Sequence, residues 1–168
     1  MAVLPIVHFP DSRLKEKSKA LSGNNDDLKI LMNDMVETMQ FYPGCVGLAA
    51  SQVGRSERVI VMDVSRYRKS VEGHGLLVLA NPVILEAQNP VMSREGCLSV
   101  TDFTGNVLRY TEVLVQAWDL QGNNVQIRSK GFEAIVFQHE VDHLDGLLFL
   151  DRVSSLKTDI FLRKSYLH

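Results

Sequence analysis

The chain has 168 residues, of which 45% are hydrophobic and 23% charged, and its formal net charge is −2. With no long run of like charge, this composition argues against a general electrostatic attraction to nucleic acid or to an anionic membrane. No stretch approaches the roughly 20 apolar residues that a membrane-spanning helix needs, and the apolar start lacks the basic region of a signal peptide. We therefore expect a cytoplasmic protein with no membrane partner and no sequence-specific nucleic-acid partner.

The first predicted element is an α-helix near the N-terminus. Side chains that favour a helix N-cap occupy positions 24–27, and Pro43 ends the helical pattern. Between them an apolar face recurs at helical spacing and consists of Leu28, Leu31, Met32, Met35, Val36 and Met39. This pattern predicts an amphipathic helix that packs on the core. No repeat or low-complexity linker follows, so we expect one domain over residues 1–168.

The middle of the chain is predicted to be rich in strands. Residues 58–64 and 76–85 are rich in β-branched and aliphatic side chains. Residues 100–108 are expected to form a loop, and the turn residues at 121–123 predict a hairpin between the flanking strands.

A second long helix is predicted over residues 132–144, which contain no Gly or Pro, and a short final helix is expected within 151–168. Strands bunched between helices favour an α+β fold. We expect antiparallel or mixed sheets packed around the second helix, which would bind a metal.

The strongest chemical signal is the sequence His139-Glu140-x-x-His143 within that second helix. Positions four apart lie on one face of a helix, so both imidazoles can reach one metal ion. Glu140 can then face a water molecule on the metal without being a ligand itself. The alternative is an ordinary helix with two histidines at its edge, but the flanking apolar residues predict burial, where uncoordinated histidines are costly.

The third ligand is less certain from the residues alone. Phe149 occupies the position where one protease class has a third histidine, and no Glu follows Glu140. Asp159 is the only suitable carboxylate downstream, so an upstream ligand is the better option. Cys97 is a suitable soft ligand, although a cysteine by itself is as well explained as a small buried apolar residue. A disulfide between Cys45 and Cys97 would remove that thiolate from the candidate ligands.

A third segment, residues 44–52, is rich in small side chains and ends with Gln52. Small residues let a backbone approach a ligand closely, and the Gln52 amide could donate a hydrogen bond to an oxyanion. A tight loop that packs on the core explains the same composition.

Three segments taken together resemble the peptide deformylase family. They are Cys-Val-Gly-Leu-Ala-Ala-Ser-Gln at 45–52, Glu-Gly-Cys-Leu-Ser at 95–99 and Gln-His-Glu-Val-Asp-His at 138–143. The family carries these motifs in the same order and at similar separations. Cys45 stands where the family usually has glycine, and Thr101 stands where many members have proline. Neither departure falls on a ligand or acid/base position.

The resemblance implies an enzyme that removes the formyl group from the N-terminal formylmethionine of newly made polypeptides and releases formate. It implies that Cys97, His139 and His143 bind one divalent metal ion, which would be Fe(II) or a substitute such as Zn(II) or Ni(II). It also implies that Glu140 is the general acid and base.

The substrate contacts follow from the same resemblance. Gln52 and the backbone N–H of Leu98 would stabilise the oxyanion formed from the formyl group. The residues expected to contact the substrate, most of them around an apolar methionine pocket, are Val46, Gly47, Gly96, Phe132, Ile135 and Val136. The implied partners are N-formylmethionyl nascent peptides, with transient ribosome contact, and we expect a monomer.

Two other functions stay open from the sequence. One is a metal amidase or peptidase of different specificity, and the other is a catalytically silent relative that binds metal or the ribosome. Intact Glu140 and Gln52 argue against the silent relative. Partly on the same resemblance, we also predict an ion pair between Glu95 and Arg109 behind the ligand-bearing segment, since Glu95 and Cys97 share one face of an extended chain.

Overall fold

A computed structural model describes residues 1–164 and contains two α-helices and six β-strands. The helices are α1, Asp26–Phe41, and α2, Gly131–Leu144. The strands are β1 Gly47–Ala49, β2 Val59–Met62, β3 Leu77–Cys97, β4 Val100–Trp118, β5 Asn124–Lys130 and β6 Ile160–Leu162. The predicted α+β fold is confirmed.

The strands form one sheet in the order β1-β2-β3-β4-β5, and β6 pairs with β4. Every pairing between these strands is antiparallel, so of the two predicted sheet types the antiparallel one is found. The short turn at residues 98–99 joins β3 to β4. The predicted hairpin at 121–123 is confirmed by the pairing of Trp118 with Asn124.

Helix α1 begins and ends as its sequence predicts. The Asn25 side chain accepts a hydrogen bond from the backbone N–H of Leu28 at 2.8 Å and caps the first turn. The helix ends before Pro43, and Leu28, Leu31, Met32, Met35 and Met39 are all buried. The predicted apolar face therefore packs on the core.

Helix α2 lies in the centre of the molecule, where it contacts β1 to β5. The sheet separates the two helices at β2, whose four residues are all buried. Ile60 and Met62 pack in the core cluster of α2, whereas Val59 and Val61 pack in the core cluster of α1. Because both faces of β2 are covered, the strand is apolar at every position.

Two sequence predictions are wrong. Residues 100–108 form the first half of β4 rather than a loop, because this segment pairs with β3 and, at Phe103 to Gly105, with β6. The expected final helix is not formed by residues 151–164, where turns lead into β6; the remainder of that prediction, 165–168, lies outside the described residues. None of the helices in residues 1–164 has the length and apolar character to cross a membrane.

Candidate metal centre and active site

Three candidate ligands converge where the end of β3 meets α2. Cys97 is the last residue of β3, and His139 and His143 lie one helical turn apart on α2. The Cys97 Sγ lies 3.2 Å from His143 Nε2, which lies 3.2 Å from His139 Nε2. All three donor atoms lie within 4.8 Å of one another. The structure therefore brings together a group that can hold a metal ion.

The chemistry of these donors fits a divalent transition metal. A thiolate and two imidazoles form a set that suits Zn(II) or Fe(II), and a fourth position remains open for water or substrate. Both cysteines are free thiols, so no disulfide competes for Cys97. Burial of Cys97 opposes its ionisation, but the neighbouring His143 and His139 lower the pKa of the thiol well below its ordinary value. A buried cation would satisfy all three converging lone pairs at once.

Behind His139 a chain of charged groups holds the ring in place. The His139 Nδ1 lies 2.8 Å from Glu95 Oε1, so Nε2 is the nitrogen left for a metal. Arg109 donates two hydrogen bonds to Glu95, at 2.7 and 2.9 Å, and a third to Asp142 at 2.7 Å. The predicted Glu95–Arg109 ion pair is thereby confirmed. Asp142 was not predicted, and it also accepts hydrogen bonds from Arg152.

Glu140 is buried beside the ligands and is not part of this chain of charges. Its Oε2 has no hydrogen-bond partner among residues 1–164. Burial raises the pKa of Glu140 above its ordinary value, against the opposing charges of His139 and His143. A Cβ on Gly47 would lie 2.5 Å from Glu140 Oε1, so glycine at this position makes room for the carboxylate. An unpaired buried carboxylate next to a metal-binding group is suited to exchanging a proton with a water molecule.

Gln52 and Leu98 both lie next to Cys97. The Gln52 Oε1 accepts a hydrogen bond from the backbone N–H of Ala49 at 3.0 Å, so its NH₂ group faces the site. That NH₂ group lies 3.4 Å from Cys97 Sγ and donates to Ser99 Oγ at 3.1 Å. Leu98 lies in the turn between β3 and β4, directly after the cysteine.

A cavity of about 340 Å³ opens onto these groups. All of the residues predicted to contact a substrate line it, namely Val46, Gly47, Gly96, Phe132, Ile135 and Val136. Gln52, Leu98, Cys97, His139 and Glu140 line the same cavity. Apolar side chains and the candidate catalytic groups therefore line the same cavity.

The cavity also has lining residues that the sequence did not reveal. Tyr67 lies against Phe132, with ring centroids 4.4 Å apart. The segment that follows Tyr67 contacts α2 at His74, whose backbone N–H donates a hydrogen bond to the buried Glu133 at 2.7 Å. Glu133 accepts another hydrogen bond from Ser129 Oγ at 2.7 Å. Arg94 and Arg163 also line the cavity. Arg94 directly precedes the Glu-Gly-Cys-Leu-Ser motif, whereas no motif marks Tyr67 or Arg163.

The antiparallel fold, which brings a thiol, two imidazoles and a buried carboxylate together, is that of a metal-dependent hydrolase. The chain matches the family Polypeptide deformylase over residues 3–159. It is 43% identical over 164 residues to a peptide deformylase of Syntrophobacter fumaroxidans, with 98% of this chain and 94% of the relative covered.

Two solved structures are similar as well. One is a peptide deformylase from Legionella pneumophila, with a TM-score of 0.84 and 38% identity, covering 93% of this chain and 89% of that one. The other is a class I type b peptide deformylase from Acinetobacter baumannii with bound Met-Ala-Ser; its TM-score is 0.83 at 38% identity, covering 90% of this chain and 99% of that one. This chain belongs to the peptide deformylase family, whose activity is the removal of the formyl group from N-formylmethionine peptides.

Proposed function

We propose that the chain removes the formyl group from newly made polypeptides with a single divalent ion, Fe(II), held by Cys97, His139 and His143. The observation that carries this proposal is the convergence of the three donor atoms within 4.8 Å, beside the buried and unpaired carboxylate oxygen of Glu140. When bound there, a divalent cation would polarise the formyl oxygen and make a water molecule at the open position more acidic.

Glu140 is proposed as the general acid and base. Its carboxylate would take a proton from the attacking water and later deliver a proton to the leaving amine, so that formate and a free N-terminus result. Its raised pKa supports this role, because a carboxylic acid of raised pKa holds and returns a proton more readily near neutral pH.

Gln52 and Leu98 are proposed to stabilise the oxyanion that develops on the formyl oxygen. The orientation of the Gln52 amide supports this role, since the backbone of Ala49 holds its oxygen and turns its NH₂ group towards Cys97. The backbone N–H of Leu98 would supply the second donor. Two donors fixed before the reaction lower the energy of a developing negative charge.

The methionine side chain is proposed to lie against Val46, Phe132, Ile135 and Val136, with Gly47 and Gly96 close to the substrate backbone. The apolar lining of the cavity supports this assignment, as does the Met-Ala-Ser peptide bound by the related protein of Acinetobacter baumannii. We also propose that residues 1–168 act as one monomeric domain in the cytoplasm. Because the substrates are newly made polypeptides, this domain would contact the ribosome transiently.

Turnover of a formylmethionyl peptide tests the function. Protein loaded with Fe(II) without air should release formate from formyl-Met-Ala-Ser and should leave both acetyl-Met-Ala-Ser and internal peptide bonds intact. We expect the Fe(II) form to be the most active and to lose activity in air, because the cysteine and an open Fe(II) site are exposed to oxidation. The Ni(II) form should last longer. Cleavage of internal bonds without formate release would instead indicate a peptidase.

Metal retention tests the ligand set with a matched pair of variants. Cys97→Ser should lose metal on dialysis, since a hydroxyl replaces a thiolate poorly on a soft ion. Cys45→Ser should retain it. Equal loss from both variants would indicate that Cys45 is also a ligand, or that the two cysteines are linked, and would contradict the proposed ligand set.

A further inference from the structure

Among the described residues that line the cavity, the exposed charged side chains are all cationic. Of the acidic residues that line it, Glu95 is 7% exposed and Glu140 is 4% exposed, and both belong to the interior around the candidate ligands. Arg94 and Arg163 also line the cavity but are exposed to solvent. The two guanidinium groups therefore set the charge that a substrate meets at the cavity mouth.

Arg163 reaches the mouth from the end of β6. Its backbone N–H donates to the Asp102 carbonyl at 2.8 Å, which continues the pairing of this segment with β4. Its guanidinium Nη2 donates to the Cys97 carbonyl at 3.3 Å. A side chain on Gly96 would collide with this guanidinium, so glycine leaves the space that the cation occupies. The cation thus lies beside the backbone that carries the candidate ligand.

Arg94 lies on the same side of β3 as Gly96. Along this strand the exposed Arg94 and Gly96 alternate with the buried Glu95 and Cys97. The Arg94 guanidinium is 3.6 Å from the centre of the Phe161 ring, and its Nε donates to Asn106 Oδ1 at 2.9 Å. These contacts orient the side chain, and its charge has no opposite partner among the residues that the structure describes.

Neither guanidinium belongs to an ion pair within residues 1–164. Arg109 and Arg152, by contrast, are both paired with carboxylates there. An unpaired cation beside a binding cavity favours a ligand of opposite charge over one of like charge. None of the described residues that line the cavity has an exposed carboxylate that could neutralise Arg94 or Arg163.

We propose that Arg94 and Arg163 form a cationic rim that recognises a carboxylate on the substrate chain, two or three residues from its formylated end. This inference rests on the proposed deformylase function. The formyl group would react at the candidate metal ligands, and an extended peptide advances about 3.3 Å per residue. Arg163 contacts the backbone of Cys97 itself, so only the first few residues of the substrate lie within its reach. The chain therefore prefers nascent peptides with an early aspartate or glutamate.

Matched amidated peptides test this preference. Formyl-Met-Ala-Asn-amide measures the deformylase activity alone, and the corresponding Asp and Lys peptides add one charge of either sign. We expect kcat/KM for the Asp peptide to exceed that for the Asn peptide by about two- to fivefold, as for an exposed ion pair, and the Lys peptide to be the poorest. The Asp advantage should shrink as salt is added. Equal kcat/KM for all three peptides at low salt would overturn the proposal that the two arginines recognise a carboxylate.

Variants assign the preference to the two arginines. Arg163→Gln and Arg94→Gln should each reduce the ratio of Asp to Asn turnover, whereas Arg163→Lys should keep most of it because the charge remains. Arg128→Gln is the matched control, since Arg128 pairs with Glu86 at 3.6 Å and does not line the cavity. A ratio unchanged in both Gln variants would overturn the assignment.

Two further arms separate the possible outcomes. Formyl-Met-Ala as free acid and as amide shows whether a terminal carboxylate is recognised as well as a side chain. If no formyl peptide is turned over, the proposed function is wrong. The recognition of a carboxylate by Arg94 and Arg163 is then tested by calorimetry, which compares the binding of Met-Ala-Asp-amide with that of Met-Ala-Asn-amide. Tighter binding of the Asp peptide would support it, and equal binding would overturn it.

Discussion

The two helices are of similar length and both are buried on the core, yet they differ in what they bury. Helix α1 buries leucine and methionine, with Thr38 as its one fully buried polar residue, and its opposite face is exposed. Helix α2 buries apolar residues together with polar and charged ones, namely Glu133, Gln138, Glu140, Asp142 and His143. The apolar face of α1 explains its position fully, whereas the position of α2 depends on partners from other elements.

Most of the buried polar residues of α2 have a specific partner. Gln138 accepts from the Tyr110 backbone N–H at 2.9 Å and donates to its carbonyl at 2.7 Å. Asp142 bonds Arg109, and Glu133 bonds Ser129. Glu140 and the candidate ligand His143 differ from these residues, because Glu140 Oε2 and His143 Nδ1 have no hydrogen-bond partner within residues 1–164. A buried polar group without a partner costs stability, and both exceptions on α2 lie at the candidate metal centre, so they point to chemistry rather than to packing.

Replacement of Glu140 by alanine should have the largest effect on activity. It should show most clearly that α2, unlike α1, contributes a catalytic group. We expect kcat to fall by about 10²- to 10⁴-fold, the usual contribution of a general acid or base, while the metal stays bound because the three ligands are unchanged. Steady-state turnover with metal analysis measures both. Asn33→Ala on the exposed face of α1 is the control and should be fully active. A fully active Glu140→Ala enzyme with normal metal content would remove Glu140 from the mechanism.

Loss of Arg109 should remove the ion pairs that connect β4 to Asp142 on α2 and to Glu95 on β3. Arg109→Ala leaves Glu95 buried without its arginine and leaves Asp142 with Arg152 alone, and removal of one partner from such a buried group costs about 3–5 kcal/mol. Urea unfolding measures this change. Arg128→Ala removes a pair whose side chains are 57% and 50% exposed, and it should cost only about 0–1 kcal/mol. Similar losses in the two variants would contradict a special role for the network.

The equivalent experiment in α1 should affect stability alone. Met35 is fully buried, and Met35→Ala should destabilise the fold by about 2–5 kcal/mol through lost burial and the cavity left behind. Activity per folded molecule should stay unchanged, because α1 contributes no group to the site. Met35→Leu, which keeps the volume, should cost less than about 1.5 kcal/mol. A selective loss of kcat in Met35→Ala would show that the two helices are coupled.

The smallest effect concerns Cys45, which lies between α1 and β1. Burial, together with the nearby charge of Glu140, raises the pKa of this thiol from 9.0 to about 12. At pH 8 its thiolate fraction should be about a thousandfold below that of the unfolded chain. Folding therefore favours the protonated thiol, and the associated stability is complete below pH 9 and is lost as the pH rises towards 12.

Alkylation by iodoacetamide with peptide mapping checks this prediction. Cys45 should react slowly in the native protein at pH 8 and rapidly in urea. Rapid labelling of Cys45 in the folded protein, with Cys97 unmodified, would contradict the raised pKa of the Cys45 thiol.

The sequence by itself determined the features that depend on local geometry. The i, i+4 spacing of His139 and His143 makes both imidazoles available on one face of any helix, and the capping and apolar pattern of α1 defined its bounds. The three motifs identified the family, and the pairing of Glu95 with Arg109 was also predicted.

Only the tertiary structure decided the features that depend on distant partners. Residues 100–108 contain Gly105 and Asn106, which favour turns, but they extend as a strand because β3 and β6 satisfy their backbone groups. The segment around Ile160 becomes β6 for the same reason. Arg163, directly after β6, reaches the cavity because β6 pairs with β4. An α-helix forms its backbone hydrogen bonds within one segment of the chain. A strand forms them with a partner strand, which the local sequence does not specify.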